Sequence, residues 1–351
     1  LKTIEIHGQT GLSEIAVGES LKNIEKYARG TKTVIITDKN LDHFYNLQFP
    51  RWDVIIIGTG EKIKTLETVE YIYQNLVELE IDRSCFIVGI GGGIVCDITG
   101  FAASTYMRGL DFGFVSTSLL SQVDASVGGK NGVNFHGYKN MIGLFNQPAF
   151  VICDPVMLKT LPHKELLSGF AEMVKHAAIG SRDLFAFLEN NFQKALDLDA
   201  EILEKLVYDS VKIKAEVVKR DEKEKGERRK LNFGHTLGHA IEKTTGLPHG
   251  EAVSIGMVFA ANLSVKRNML PIEEAERIRT LLDQIGLPTL PKRPNGKTFD
   301  KEKILDALKK DKKREGSGIH FALLKAIGET LIKEIPIREL EEVVHDMCVY
   351  C

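Results

Sequence analysis

Over the first 160 residues, short apolar runs alternate with longer stretches of helical period. TVIIT (33–37), DVIIIG (53–58), FIVGI (86–90) and FGFVS (112–116) are strand-length and apolar throughout, the pattern of strands buried on both faces. Between the second and third lies TLETVEYIYQNLVELE (65–80), whose apolar positions recur at helix spacing. Such alternation predicts a mostly parallel sheet with helices on both sides. From about Leu161 the pattern changes. Segments 164–179, 200–220, 232–245, 250–267, 272–285 and 300–311 are amphipathic or apolar at helical period, with almost no strand signal. Late in the chain, IHFALLKAIGETLIKEI (319–335) reads as a hairpin around Gly328 and Glu329. The expectation is an α/β N-terminal domain over 1–160, Rossmann-like with an atypical glycine motif, and a mainly α-helical domain over 161–351. No internal repeat is present.

Composition narrows this picture. At 351 residues, two domains are the default expectation. The 46 Lys and Arg nearly balance 48 Asp and Glu, which argues against a nucleic-acid-binding surface. The apolar runs fall short of the ~20 residues of a membrane helix, so no membrane partner is expected. The sequence opens on Leu rather than Met and shows no charged-then-apolar segment there, so a secretory leader is not expected. Five scattered cysteines fit a reducing, cytoplasmic setting. Cys348 and Cys351 form one C-x-x-C pair, two ligands short of a structural zinc site.

Two glycine clusters carry candidate chemistry. FIVGIGGGIVCDITGFAAS (86–104) is a strand, a glycine turn and a helix start, a place where backbone amides meet phosphate. Ile94 stands where the dinucleotide fingerprint has its last glycine, so a tight turn needing glycine for geometry alone is an equal reading. SQVDASVGGKNGVNFHGYKNMIG (121–143) sets glycines beside Lys130 and Lys139 with Asn131, Asn134 and Asn140 interleaved, as recognition of anionic oxygen requires. Lysine and asparagine are also ordinary loop residues. The mixed charge run KRDEKEKGERRK (219–230) reads as solvated surface.

RRKLNFGHTLGHAIEKTTGLPHGEAVSIGM (228–257) gathers three of the ten histidines. His235 and His239 stand at i,i+4, the spacing of a two-histidine metal site, and His249 opens the next apolar segment. Glu172, in an apolar helix with Lys175 three residues on, is a candidate anionic ligand, because an unpaired buried carboxylate is costly. Taken singly, each residue is better explained by a buried Glu172–Lys175 ion pair with core or capping histidines. Taken together they favour a metal site.

GGGIVCDITGFAASTYMRG, VDASVGGKNGVN, GYKNMIG followed by FNQP, AEMVKHAAI, KAEVVKRDEKEKGERRKLNFGHTLGHAIE and HGEAVSIGM occur in order between about Asp38 and Gly328. Together they resemble the 3-dehydroquinate synthase family. The resemblance implies a metal- and NAD-dependent lyase of the shikimate pathway of aromatic amino acid biosynthesis. It implies conversion of 3-deoxy-D-arabino-heptulosonate 7-phosphate to 3-dehydroquinate and phosphate. NAD transiently oxidises the carbon-5 hydroxyl, phosphate is eliminated, the hydride returns, and ring opening and an intramolecular aldol close the carbocycle.

By the same resemblance, Glu172, His235 and His249 are ligands of zinc or cobalt. His239 serves proton relay beside the reacting hydroxyl and phosphate, and Asp124 and Lys175 meet substrate hydroxyls. Lys130, Asn140 and one of Lys312 and Lys313 bind phosphate, and Arg108 reaches the phosphate of the neighbouring subunit, which implies a homodimer. Lys214, Arg228 and Asn232 form a carboxylate clamp. The NAD set falls on Asp38, Asn40, Glu61, Lys64, Gly92, Gly93, Asp97, Thr117, Ser118, Lys130, Lys139 and Thr160. An acidic residue after an early strand suits a ribose hydroxyl, as NAD rather than NADP offers.

The sequence departs from the family pattern at Ser116, where a proline is usual, at Ala125 after Asp124, at Asn131 after Lys130, and in FHGY (135–138). No metal ligand or anion clamp is lost. Cyclases of sugar phosphates without a carboxylate have no use for Lys214, Arg228 and Asn232, and a polyol dehydrogenase needs fewer anion-binding residues.

Overall fold

All four apolar runs of the N-terminal half are strands in the computed structural model, which describes residues 1–290, 299–309, 314–315 and 318–349. The chain begins with β1 (Lys2–Gly8), β2 (Gly11–Val17), β3 (Thr33–Asp38), α1 (Lys39–Tyr45), β4 (Asp53–Ile57), α2 (Leu66–Glu78), β5 (Phe86–Gly91), α3 (Gly93–Thr105) and β6 (Asp111–Ser116). It continues through β7 (Lys130–Phe135), β8 (Tyr138–Phe145), β9 (Phe150–Cys153), α4 (His163–Gly180), α5 (Arg182–Leu196) and α6 (Ala200–Arg220). The last part is α7 (His235–Thr245), α8 (His249–Lys266), α9 (Ile272–Ile285), α10 (Lys301–Lys309), β10 (Arg314–Glu315), β11 (Gly318–Ala326), β12 (Glu329–Pro336) and α11 (Ile337–Val349).

The chain forms two compact units, and a single cut near residue 160 does not separate them. The first joins Leu1–Glu165 to Leu198–Lys223, and the second joins Leu166–Asp197 to Glu224–Cys351. The physical reason lies in α6. Its buried face holds Leu203, Leu206, Val207, Val211 and Val218, and the helix packs against β1. An apolar face of that size requires a partner, and the N-terminal hairpin supplies it.

The sheet of the first unit has the order β1-β2-β9-β6-β5-β3-β4. Only β1 runs antiparallel to its neighbour; β2, β9, β6, β5, β3 and β4 pair in parallel. The chain moves from β3 outward to β4, then returns to the other side of β3 with β5. This reversal makes a crevice at the carboxyl ends of β3 and β5, where open α/β sheets take their ligands. Beneath it, Ile35, Val88, Ile90, Val115, Phe150 and Ile152 form a buried core.

In the second unit, α8 is buried nearly all round, from Gly250 to Ala261. Its Ala252, Ile255, Phe259 and Leu263 share a core with Leu237 and Ile241 of α7, Ile304 and Leu308 of α10, and Ile319, Phe321 and Leu323 of β11. The expected hairpin is β11–β12, with Gly328 at positive φ between them. Among the described residues no helix is long and apolar enough to cross a membrane.

Candidate active site

The second unit brings Glu172, His235 and His249 together. Glu172 is fully buried on α4 among Phe170, Ala171, Met173 and Val174. His235 and His249 are the first residues of α7 and α8. Their ligand atoms and a Glu172 oxygen all lie within 4.8 Å of one another. Both Nε2 atoms stand 3.4 Å from Glu172 Oε1. That separation is long for a hydrogen bond. It matches the ~3.3 Å between neighbouring corners of a tetrahedron with metal bonds of about 2.0–2.1 Å.

Two observations test the fit to a metal. Glu172 Oε2 forms an ion pair with the equally buried Lys175, which leaves Oε1, the oxygen that both Nε2 atoms face, for a further partner. Each imidazole also has its Nδ1 engaged elsewhere: His235 with the Phe233 carbonyl at 3.2 Å, His249 with Glu242 Oε2 at 3.1 Å. Both Nε2 atoms are thereby turned to the same point, and the donor set of two imidazoles and a carboxylate suits zinc or cobalt. Burial alone would lower the His249 pKa, but the Glu172 and Glu242 carboxylates outweigh it and raise it to about 9.

The glycines of GHTLGH and HGEAVSIGM explain how two helices meet this closely. A Cβ on Gly256 of α8 would sit 1.9 Å from the Gly234 carbonyl oxygen, and one on Gly238 of α7 would meet the Ala252 carbonyl at 3.1 Å. Backbone therefore packs on backbone. Gly234 also takes φ +79, which an L side chain would resist.

His239 lies outside the metal-type group. It is exposed, with its ring 5.2 Å from that of His235 and 6.2 Å from that of His249. The i,i+4 spacing thus places His239 beside the group and not in it, and the second imidazole comes from the next helix. Arg228 is almost wholly buried in a short 3-10 helix that ends at Asn232, whose amide donates to Glu224 at 2.8 Å. Lys214 belongs to the first unit, on the buried face of α6. It is ion-paired with Asp124, so two residues expected in different roles are direct partners.

In the first unit Asp38, Gly92, Gly93, Thr117 and Ser118 of the expected NAD set stand at the carboxyl ends of β3, β5 and β6. Gly92 caps α3 without a side-chain hydrogen bond, so the first-turn amides of this helix keep their capacity for an anion. A Cβ on Gly93 would meet Ala125 at 2.8 Å. Thr117 N–H donates to the Gly91 carbonyl, and Ser118 hydrogen-bonds Ser121. Asp38 caps α1, accepting from the amides of Asn40 and Leu41; burial raises its pKa more than these bonds lower it. Thr160 shares a 2.9 Å hydrogen bond with the Tyr45 hydroxyl.

A second group joins β4, α3 and the β7–β8 hairpin. Lys64 is ion-paired with Asp97 and donates to Asn140 Oδ1 at 2.5 Å, while Lys139 lies 3.9 Å from Glu61. Burial raises the pKa of Asp97 despite the neighbouring Lys64. Asn134 holds this group in register: it donates to Glu61 at 2.7 Å, and its Oδ1 accepts from the Asn140 amide at 2.9 Å. Lys130 is not part of it. Lys130 pairs with Phe145 at the far end of the hairpin, five positions from Asn140, about 17 Å at ordinary strand rise. Arg108 is exposed, and both it and Met107 have positive φ. Lys312, Lys313 and Cys351 lie outside the described residues, as does the side chain of Cys348. Asn134, expected among the amides that meet anionic oxygen, instead ties Glu61 to Asn140, and Glu242 carries no expectation from the sequence although it stands seven residues before His249 in a motif already singled out.

The N-terminal 3-dehydroquinate synthase family model matches residues 54–168, and the C-terminal model of the same family matches residues 169–314. The chain is 42% identical to a 3-dehydroquinate synthase of Thermoanaerobacter sp. (strain X514), over 91% of this chain and 90% of that protein. It is 47% identical to that of Dehalococcoides mccartyi (strain CBDB1), over 78% and 76%. Among solved structures, a 2-deoxy-scyllo-inosose synthase complexed with carbaglucose-6-phosphate, NAD+ and Co2+ superposes with a TM-score of 0.88 at 28% identity, covering 99% of this chain and all of that one. With both family models matched in tandem and identity above 40% over nine-tenths of its length, the chain belongs to the 3-dehydroquinate synthase family.

Proposed function

We propose that this chain is a 3-dehydroquinate synthase. It would convert 3-deoxy-D-arabino-heptulosonate 7-phosphate to 3-dehydroquinate and phosphate as a carbon–oxygen lyase of aromatic amino acid biosynthesis. The observation that carries the reading is Glu172, a buried carboxylate whose Oε1 is faced at 3.4 Å by two imidazole nitrogens, in a chain of this family.

Glu172, His235 and His249 would hold a zinc or cobalt ion, and the carboxyl edge of the sheet from Asp38 to Ser118 would hold NAD. Bound there, the metal would supply Lewis acidity toward a substrate oxygen and NAD would supply a reversible hydride acceptor, with no net oxidation. The chain's own residues do the rest. Lys175, buried beside Glu172, and Asp124 would orient substrate hydroxyls. His239, exposed next to the metal group, would move protons at its ring nitrogens, as its near-neutral ordinary pKa allows. Arg228, Asn232 and Lys214 would hold the carboxylate, and Lys130 with one of Lys312 and Lys313 the phosphate; Asn140, expected there as well, stands about 17 Å along the hairpin from Lys130 and is bonded to Lys64 instead. Arg108 would serve the neighbouring subunit's phosphate in a cytoplasmic homodimer.

A sister cyclase is the second reading, favoured by the close superposition on 2-deoxy-scyllo-inosose synthase; the higher identity to 3-dehydroquinate synthases outweighs it. The test is turnover of metal-loaded protein with catalytic NAD, following phosphate, dehydroquinate and NADH together. Equimolar phosphate and dehydroquinate without NADH build-up is the expected result. Activity only on glucose 6-phosphate or sedoheptulose 7-phosphate would move the chain to a sister activity. NADH rising with polyol oxidation would make it a dehydrogenase.

A further inference from the structure

Glu242 sits in the last turn of α7, where the negative end of the helix dipole disfavours a carboxylate. Its position makes sense through what it touches. Gly246 ends α7 in the left-handed conformation, Pro248 starts α8, and this short turn returns His249 beside Glu242. Glu242 Oε2 then lies 3.1 Å from His249 Nδ1, while His249 Nε2 faces Glu172. The two imidazoles of the group are thus held by unlike partners. His235 has a neutral carbonyl and His249 has a carboxylate.

We propose that Glu242 is a positioning residue for the metal: it accepts Nδ1–H of His249 and so fixes the tautomer and ring orientation that leave Nε2 as a ligand. A carboxylate in this position also makes the imidazole a stronger donor, and loss of such a partner weakens metal affinity by about 10–100-fold. The inference rests on the metal reading of Glu172, His235 and His249.

The experiment is zinc competition against a chromophoric chelator, for wild type, Glu242→Gln, Glu242→Ala and His249→Ala, with circular dichroism to establish that each is folded. Glu242→Ala should bind one zinc with affinity about 10–100-fold weaker than wild type. Glu242→Gln, which keeps an acceptor without the charge, should fall between them. Wild-type affinity in both Glu242 variants, even with a lowered Tm, would overturn the proposal, since a merely structural glutamate moves Tm alone. Equal zinc affinity in wild type and His249→Ala would sink the metal reading itself, and the inference with it. Should the Glu242 variants not fold, 15N-histidine spectra of zinc-loaded wild type decide. His249 protonated on Nδ1 with Nε2 on the metal supports the assignment; a proton on Nε2 overturns it.

Discussion

Glu222 shows how one side chain can hold several segments. It follows α6 by two residues, is buried, and accepts from the Gln9 amide and the Thr10 hydroxyl at 2.6 Å and from the Gln147 amide group at 2.9 Å. Burial alone would raise its pKa, but these donors outweigh it and hold the group below its ordinary 4.5. Because the folded value is depressed, the stabilisation is complete above the unfolded value and is lost as pH falls through the folded one. Glu222→Ala should therefore cost about 2–4 kcal/mol near neutrality. Melting of wild type and variant at pH 7 and pH 3 checks this: the gap should narrow at pH 3, and an equal gap at both would contradict it. The same residue lies in a charge run that reads as plain surface. Its donors come from positions 9, 10 and 147, so nothing in the local sequence shows that it is buried.

Among elements, the contact of α7 with α8 sets the site. Gly256→Ala would place a methyl group 1.9 Å from the Gly234 carbonyl oxygen, so the helices must part. The cost should be about 1–3 kcal/mol, with weaker zinc binding as well, because His235 and His249 start the two helices. Differential scanning calorimetry and zinc titration of the variant check both; a variant with unchanged Tm and affinity would remove the packing argument. Legibility differs by element for physical reasons. The central strands are apolar on both faces, so FIVGI and TVIIT announce themselves. The β7–β8 hairpin was hidden by Lys, Asn and Gly, residues poor in strands; its turn uses His136 and Gly137, both at positive φ, which the FHGY sequence marks only weakly. The four-residue β9 and the half-exposed β1 gave too little period to stand out. At the site, residues within one helix turn were legible. The choice of His249 over His239 as partner to His235 came from family resemblance, since no local period links two helices.

Across the whole molecule, the candidate metal ligands Glu172, His235 and His249 all belong to the second unit. They are drawn from α4, α7 and α8, so an ion there ties these helices into one body. Stripping the metal with EDTA should loosen those helices and lower Tm; zinc at about 100 times its Kd restores about 2.7 kcal/mol. Hydrogen exchange before and after metal removal checks the confinement. Protection should fall in α4, α7 and α8 and stay level in β3, β5 and β6; uniform loosening would argue against it.

The place of α6 has a consequence for how the chain is made. Strand β2 pairs with β9, so residues 14–17 wait for residues 150–153 before they find their sheet neighbour. The β1 hairpin then waits again for α6, which ends at Arg220. Translation runs at about 5–20 residues per second. The first hairpin therefore spends on the order of ten seconds or more outside the ribosome without its helix, while α4 and α5 of the other unit emerge ahead of α6. Vectorial folding cannot finish the first unit before starting the second. An expression fragment stopped at residue 165 would carry a nascent-chain problem permanently, with the β1 surface that α6 covers left open to other chains.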